Sequence, residues 1–160
     1  MKRSLLAISL IASLTTALNA NGFDTKISVG ATAAKINNET YTQYAIGYTS
    51  NTVLDNEIIL GFGNSLGYGN VKNGVEAITV DMDLRAGYEI IQNLTGFAIG
   101  TGVAQTIDNN SATGLGYGGS LEYRITSNVA LEGSYKTVTM HDSPRDYDYD
   151  TSNLAVKFNY

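Results

Sequence analysis

Apolar and polar residues alternate along most of this chain. Between Ala77 and Ile90 the odd positions are polar or glycine, and the even positions are apolar: Ile78, Val80, Met82, Leu84, Ala86, Tyr88 and Ile90. Successive side chains of a strand point to opposite faces, whereas a helix would scatter both sets around its axis. The segment therefore predicts a long strand with one apolar and one polar face.

Seven further segments show the same period of two. Their apolar positions are Ile27, Val29, Ala31 and Ala33; Tyr44, Ile46 and Tyr48; Ile58, Leu60 and Phe62; Phe97, Ile99 and Val103; Leu115, Tyr117, Leu121, Tyr123 and Ile125; Val129, Leu131 and Tyr135; and Leu154, Val156, Phe158 and Tyr160. The total of eight is even, and we expect these apolar positions to share the outer face of one sheet.

The segments between the predicted strands alternate in length. Those near 50–56, 91–95 and 126–128 are short, and those near 36–41, 69–76, 107–113 and 141–152 are mostly longer and more polar. Membrane barrels have short turns at the end that holds both chain termini and longer loops at the other. The pattern predicts an all-β, eight-stranded antiparallel up-and-down transmembrane β-barrel with four modest external loops.

A soluble sandwich would also alternate, but the polar face here mixes small residues with charges of both signs. The inward charges are Lys26, Arg85, Arg124, Lys136 and Lys157 against Glu57, Asp81, Asp83, Glu89, Glu122 and Glu132. Five against six is close to neutral, as a narrow closed lumen requires, because unpaired buried charge is costly. We predict a lumen ion network of Asp81, Asp83, Arg85, Glu122, Arg124, Glu132, Lys136 and Lys157.

Symmetric pairing about the turn at Ser127 would place Glu122 opposite Glu132. Like charges that face each other destabilise a strand pair. We therefore expect Arg124, Lys136 or Lys157 to approach both carboxylates.

Aromatic residues mark the ends of several predicted strands. Tyrosines occupy apolar-face positions where an amphipathic ring suits the membrane boundary: Tyr44, Tyr48, Tyr68, Tyr88, Tyr117, Tyr123 and Tyr135. The chain also ends on an aromatic residue, Tyr160, after Leu154, Val156 and Phe158. In these features it resembles the small OmpA/OmpX-type outer-membrane barrels.

That resemblance implies a location in the bacterial outer membrane, surrounded by lipid and lipopolysaccharide. It also implies that Leu154, Val156, Phe158 and Tyr160 form an assembly signal, with the barrel-assembly machinery and periplasmic chaperones as partners. Eight strands enclose an interior just wide enough for side chains to fill it. We expect a monomer with a filled lumen.

The first twenty residues have the layout of a secretory signal. A basic start, Met1-Lys2-Arg3, precedes an apolar run from Leu5 to Leu14 and then small residues that allow cleavage after Ala17 or Ala20. The run is shorter than the ~20 residues of a membrane-spanning helix. We predict a cleaved signal peptide over residues 1–20 and a barrel over residues 21–160.

Composition excludes several other classes of protein. Loss of the first twenty residues leaves 8 basic and 15 acidic residues, a formal charge of −7, which argues against a nucleic-acid surface. There is no cysteine for disulfides or lipid attachment. The glycine clusters lack the setting of a phosphate loop, and we expect no cofactor.

The segment from His141 to Asp150 holds the candidates for chemistry. Asp146, Asp148 and Asp150 could bind a divalent cation, although an EF-hand's glycine and distal glutamate are missing and a solvated acidic loop is the alternative. His141 and Ser143 resemble the His-x-Ser pair of lipid A deacylases. That resemblance implies Ser143 as nucleophile, His141 as base, and Asp148 or Asp150 as the orienting acid.

These patterns favour a non-enzymatic outer-membrane barrel with an envelope-structural or surface-displaying role through its external loops. The alternatives are a lipid A deacylase-like enzyme, an adhesin or host-protein-binding barrel, and a narrow ion channel.

Overall fold

The computed structural model describes residues 23–36, 39–71, 74–108, 110–142 and 145–159, with only the backbone described at positions 142 and 145. Eight strands account for nearly all of them: β1 (Asp24–Ile36), β2 (Glu39–Val53), β3 (Ile59–Asn70), β4 (Glu76–Ile91), β5 (Leu94–Ile107), β6 (Asn110–Arg124), β7 (Val129–Asp142) and β8 (Arg145–Asn159). Within these ranges no helix is long and apolar enough to cross a membrane. The predicted signal peptide, Ser143 and Tyr160 lie outside the described residues.

The eight strands form one closed antiparallel barrel. Each strand pairs with the next along the chain, and β1 pairs with β8 from Lys26–Asn159 to Ile36–Tyr149. A sheet surrounded by hydrocarbon must have all its backbone groups paired. Closure satisfies this requirement because it leaves no strand edge unpaired. The predicted fold is therefore confirmed. We call the end that holds Asp24 and Asn159 the terminal end, and the opposite end the distal end.

The predicted difference in loop length between the two ends is wrong. At the distal end, the strands leave only residues 37–38, 71–75, 108–109 and 143–144 as connections, and at the terminal end they leave 54–58, 92–93 and 125–128. Residues 145–150, predicted as part of a long loop, belong to β8. The strands are 12 to 16 residues long, and ~9–11 residues suffice to cross a bilayer. Most of the polar residues predicted to form the distal loops are therefore the ends of strands.

Large apolar side chains cover the middle of the outer surface, which we call the outer belt. Its exposed members include Ile27, Val29, Tyr44, Ile46, Leu60, Tyr68, Ile78, Met82, Leu84, Tyr88, Leu115, Tyr117, Leu121, Tyr123, Tyr135, Leu154, Val156 and Phe158. Six of the seven predicted boundary tyrosines are exposed there. The exception is Tyr48, which is buried with its ring centroid 6.2 Å from that of Phe62.

Strand β5 faces the opposite way from the prediction. Phe97, Ile99 and Val103 are buried in the lumen, and Ala98 and Gly100 face outward. The alternation itself was read correctly, but neither face of β5 carries a charge, so the sequence did not indicate which face is inward. A physical reason for the observed choice is Phe97, whose ring centroid lies 4.1 Å from the Arg85 guanidinium, within the range of a cation–π contact.

Candidate functional site: the lumen and the distal collar

A chain of ion pairs, the lower cluster, fills the lumen near the terminal end. Lys26 Nζ lies 2.5 Å from Glu122 Oε1, and Lys157 Nζ lies 3.0 Å from Glu122 Oε2 and 2.7 Å from Glu132 Oε2. Arg85 Nη2 pairs with the same oxygen, Glu132 Oε2. All five side chains are buried. Such pairs are expensive to break, because removal of one partner leaves an uncompensated buried charge.

A second group of ions, the upper cluster, lies further along the barrel axis. Lys136 Nζ is 2.5 Å from Asp81 Oδ2 and 3.2 Å from Asp83 Oδ1. Asp81 and Asp83 are two positions apart on β4, so both carboxylates point into the lumen from one strand. Lys136 reaches them from β7 across the barrel interior.

The buried groups of the two clusters are together electrically neutral, and Lys26 also pairs with the partly exposed Asp24 at 3.1 Å. They hold four cations, Lys26, Arg85, Lys136 and Lys157, and four anions, Asp81, Asp83, Glu122 and Glu132. The prediction of five against six is corrected in three places, because Glu57, Glu89 and Arg124 are exposed. Arg124 therefore lies outside the ion network, since it ends β6 at the rim of the barrel.

A hydrogen-bonded layer of tyrosine, glutamine and threonine, the Tyr–Gln layer, crosses the lumen on the distal side of the clusters. Gln43 and Gln105 each donate through Nε2 to the Tyr41 hydroxyl, at 3.1 and 3.0 Å, and to Thr79 Oγ1, at 2.8 and 3.1 Å. The hydroxyls of Tyr149 and Tyr147 donate to the amide oxygens of Gln43 and Gln105, each at 3.1 Å. Both amide groups thus use their donors and acceptors inside the barrel.

The distal end of the lumen is apolar, which the sequence reading did not predict. A buried hydrophobic cluster, the distal core, consists of Ala34, Tyr41, Ala77, Val103, Ala112, Val138, Met140 and Tyr149. Tyr147, predicted to lie in a loop, packs against it, and Tyr149, predicted likewise, is 1% exposed. Both tyrosines alternate with aspartates on β8, so they point inward where the aspartates point outward.

The outer surface around the distal core is polar, and we call it the distal collar. Its exposed side chains are Lys35, Thr40, Thr42, Asn70, Glu76, Ser111, Thr113, Thr139, His141, Asp146, Asp148 and Ser152. The barrel therefore reverses its polarity along its axis. The outer belt surrounds ions, whereas the distal collar surrounds an apolar core, as in a water-soluble barrel.

Of the candidate residues for chemistry, His141, Asp146 and Asp148 are exposed on the distal collar. His141 Nδ1 is 3.1 Å from Asp146 Oδ1 across the β7–β8 pair, and both side chains are exposed. The acid beside His141 is therefore Asp146 rather than Asp148 or Asp150. Asp146, Asp148 and Asp150 occupy alternate positions of β8, and such positions are ~7 Å apart. Within the described ranges, no three His, Asp or Glu side chains are grouped to hold a metal ion.

Two polar parts of the lumen were missing from the predicted ion network. Lys26 was placed on the inner face but not assigned to the ion pairs, and the Tyr–Gln layer was not anticipated. The signal for Gln43 was present, because it occupies a predicted inner-face position of β2. Gln105 shares the face of Val103 on β5, which was predicted to point outward. What could not be read from one sequence is which strands lie opposite each other across the lumen.

Solved structures share the fold of this chain at low sequence identity. No family model matches the chain, and no curated protein matches it. Among solved structures, Neisserial surface protein A superposes with a TM-score of 0.59 at 12% identity, covering 88% of this chain and 98% of that one. The attachment invasion locus protein Ail of Yersinia pestis gives 0.59 at 13%, covering 87% and 99%.

The N-terminal β-barrel domain of Pseudomonas aeruginosa OprF gives a TM-score of 0.54 at 15% identity, covering 86% of this chain and 99% of that domain. These neighbours are bacterial outer-membrane β-barrels, and their location is consistent with the outer belt found here. At such low identity the likeness concerns the fold alone. This chain has the fold of the small eight-stranded outer-membrane barrels of the OmpA/OmpX type.

Proposed function

We propose that this protein is an integral barrel of the bacterial outer membrane, with a side-chain-filled lumen, that contributes to envelope structure and displays its distal collar outside the bilayer. The outer belt suits hydrocarbon, and the closed sheet leaves no backbone edge unpaired within it. The boundary tyrosines suit the two membrane–water interfaces.

The observation that carries this proposal is the filling of the lumen. Two neutralising ion clusters, the Tyr–Gln layer and the distal core follow one another along the axis. An ion crossing the barrel would have to separate buried ion pairs and then enter an apolar region, and both steps are costly. We therefore favour a structural barrel over a channel.

Planar-bilayer recording tests the closed lumen. Protein folded in detergent is reconstituted into lipid vesicles that are fused with the bilayer, and the mobility difference between boiled and unboiled vesicle samples on electrophoresis verifies that the barrel is folded. We expect no conductance steps. Reproducible unitary steps from verified barrels would overturn the proposal in favour of a channel.

Display by the distal collar replaces the predicted display by loops, because the distal connections are too short to form a large surface. Thr139 lies on the distal collar and Ser127 in a terminal-end turn, and both are exposed. With no other cysteine present, Thr139→Cys should react with a membrane-impermeant maleimide on intact cells. Ser127→Cys should react only after permeabilisation, and the reverse pattern would refute this orientation.

Adhesion is a specific form of such display. Two fold neighbours are named as a surface protein and an attachment invasion locus protein. Conversion of Asp146 and Asp148 to serine should then reduce attachment to host cells, whereas the same change at Asp55 and Glu57, exposed in a terminal-end turn, should not. If both variants attach to host cells equally well, the hypothesis of adhesion through this side of the distal collar is wrong.

One observation favours the lipid A deacylase as a second candidate. The contact between His141 and Asp146 supplies a base and an orienting acid of the kind used to activate a serine. Ser143→Ala would abolish deacylation if Ser143 were the nucleophile. Identical lipid A mass spectra from strains with the wild-type protein and with this variant would dismiss the enzyme.

A further inference from the structure

A small chamber lies in the lumen where the two ion clusters meet. Its volume is about 60 Å³, and its lining includes Thr49, Ser65, Arg85, Ser134, Lys136 and Asn153. Three inward glycines, Gly30, Gly47 and Gly63, border it on the side of β1 to β3. The chamber is therefore polar and surrounded by charges.

Three of the side chains that line the chamber have an unused hydrogen-bonding atom. Thr49 is 8% exposed and Arg85 is 4% exposed, and none of Thr49 Oγ1, Asp81 Oδ1 and Arg85 Nε has a protein partner. The other end of Arg85 is engaged, since Nη2 donates to Ser120 Oγ at 3.1 Å and pairs with Glu132. Buried polar atoms of folded proteins nearly always have a partner, so each of these three requires one.

We propose that the chamber is a binding site for a small cluster of ordered water molecules that form part of the lumen. Water can accept the hydrogen bond of Arg85 Nε and also bond the Thr49 hydroxyl. A cavity of this size has room for about four molecules. An ion of either sign fits worse, because the chamber is lined by three acids and three bases: Asp81, Asp83, Glu132, Arg85, Lys136 and Lys157.

The water would also mediate between the two clusters. The lower cluster holds three cations and two anions, and the upper cluster holds one cation and two anions. Asp24 pairs with Lys26 at 3.1 Å and balances the lower cluster, so the excess negative charge lies on the side of the upper cluster. A few waters between the two clusters raise the local dielectric and lower the cost of burying eight charges.

A matched pair of threonines provides the first arm of the test. Thr49 and Thr101 are both buried with an unpartnered hydroxyl, but only Thr49 lines the chamber. Thr49→Val removes a hydrogen bond to water and should lower the ratio of folded to unfolded protein about five-fold in urea titration. Thr101→Val removes no such bond and should leave the ratio unchanged or raise it.

The second arm detects the water directly. In the wild-type barrel in nanodiscs, we expect magnetisation transfer from long-lived water to the Thr49 hydroxyl and to the Arg85 Nε–H. The proposal is overturned if no water contact is detected at either group. It is equally overturned if Thr49→Val is no more destabilising than Thr101→Val.

Discussion

Glu122 and Glu132 are direct register partners on β6 and β7, so two carboxylates face each other inside the barrel. Lys157 lies between them, 3.0 Å from an oxygen of Glu122 and 2.7 Å from an oxygen of Glu132. Like charges in this position would repel. A lysine from β8 converts the repulsion into a bridge that joins three consecutive strands.

Removal of that lysine should be among the most destabilising single changes in the barrel. Lys157→Met leaves two facing carboxylates short of one cation in a buried setting, and we expect a loss of about 3–5 kcal/mol in the free energy of unfolding. Urea titration of detergent-folded protein measures it. Lys35→Met, on the exposed distal collar, is the matched control and should change stability by less than about 0.5 kcal/mol.

The second substitution Glu132→Gln should restore part of the stability lost in Lys157→Met, because it removes one of the two facing charges. A double variant no more stable than Lys157→Met would show that repulsion between the two carboxylates is not the cause.

The two arginines that the sequence places on the inner face, Arg85 and Arg124, should differ sharply. Arg85 is buried, pairs with Glu132 and lies over Phe97, whereas Arg124 is exposed at the rim. We expect Arg85→Met to cost about 3–5 kcal/mol and Arg124→Met to be nearly neutral in the same titration. Comparable losses of stability in both variants would mean that Arg124 belongs to the ion network, as the sequence predicts.

Two glycines on adjacent strands provide a steric test. A Cβ at Gly118 would collide with the backbone carbonyl of Tyr135, while a Cβ at Gly133 would have no atom within 4 Å. Gly118→Ala should therefore cost about 1–3 kcal/mol through overpacking. Gly133→Ala should be neutral or stabilise by about 0.4–1 kcal/mol, and thermal unfolding of the two folded variants would show the difference. Equal effects would mean that β6 and β7 are spaced differently.

The facing of β5 can be tested with substitutions of opposite size. Ala98 faces outward and Ile99 is buried in the lumen. Ala98→Leu should be neutral or stabilising because the larger side chain enters lipid, and Ile99→Ala should cost about 2–5 kcal/mol because it leaves a cavity. If Ala98→Leu proved the costly change, Ala98 would be the inward residue and the sequence-based orientation would be right.

Alternation predicted the eight strands because the outer belt and the ion-filled part of the lumen differ in polarity. Where both faces are uncharged, as around Ala98 and Ile99, alternation locates a strand but not its facing. The distal ends were mistaken for loops because their outward residues are polar. The run from Asp146 to Asp150 still alternates, with its polarity reversed: aspartate faces out and tyrosine faces in.

The composition of the lumen was predicted better than its connections. Glu122 and Glu132 could be paired because a short turn fixes the register of β6 and β7. The bridge from Lys136 to Asp81 could not, because it joins strands that are not neighbours and depends on how the closed barrel brings side chains together. The Tyr–Gln layer depends on the same three-dimensional closure.

A single-cysteine spin-label scan along β8 tests the reversal of polarity most directly, since the chain has no native cysteine. On β8 the distal collar extends from Asp146 to Ser152. This is about 20 Å of strand, or about 15 Å along the barrel axis at the usual strand tilt. In bilayers, labels at Asp146 and Asp148 should be relaxed by a water-soluble paramagnetic reagent, and labels at Leu154 and Val156 by oxygen dissolved in the lipid. Labels at Tyr149 and Ala155 should be shielded from both. Preferential relaxation by oxygen at Asp148, or the absence of a two-residue period along the strand, would contradict a barrel that reverses its polarity from belt to collar.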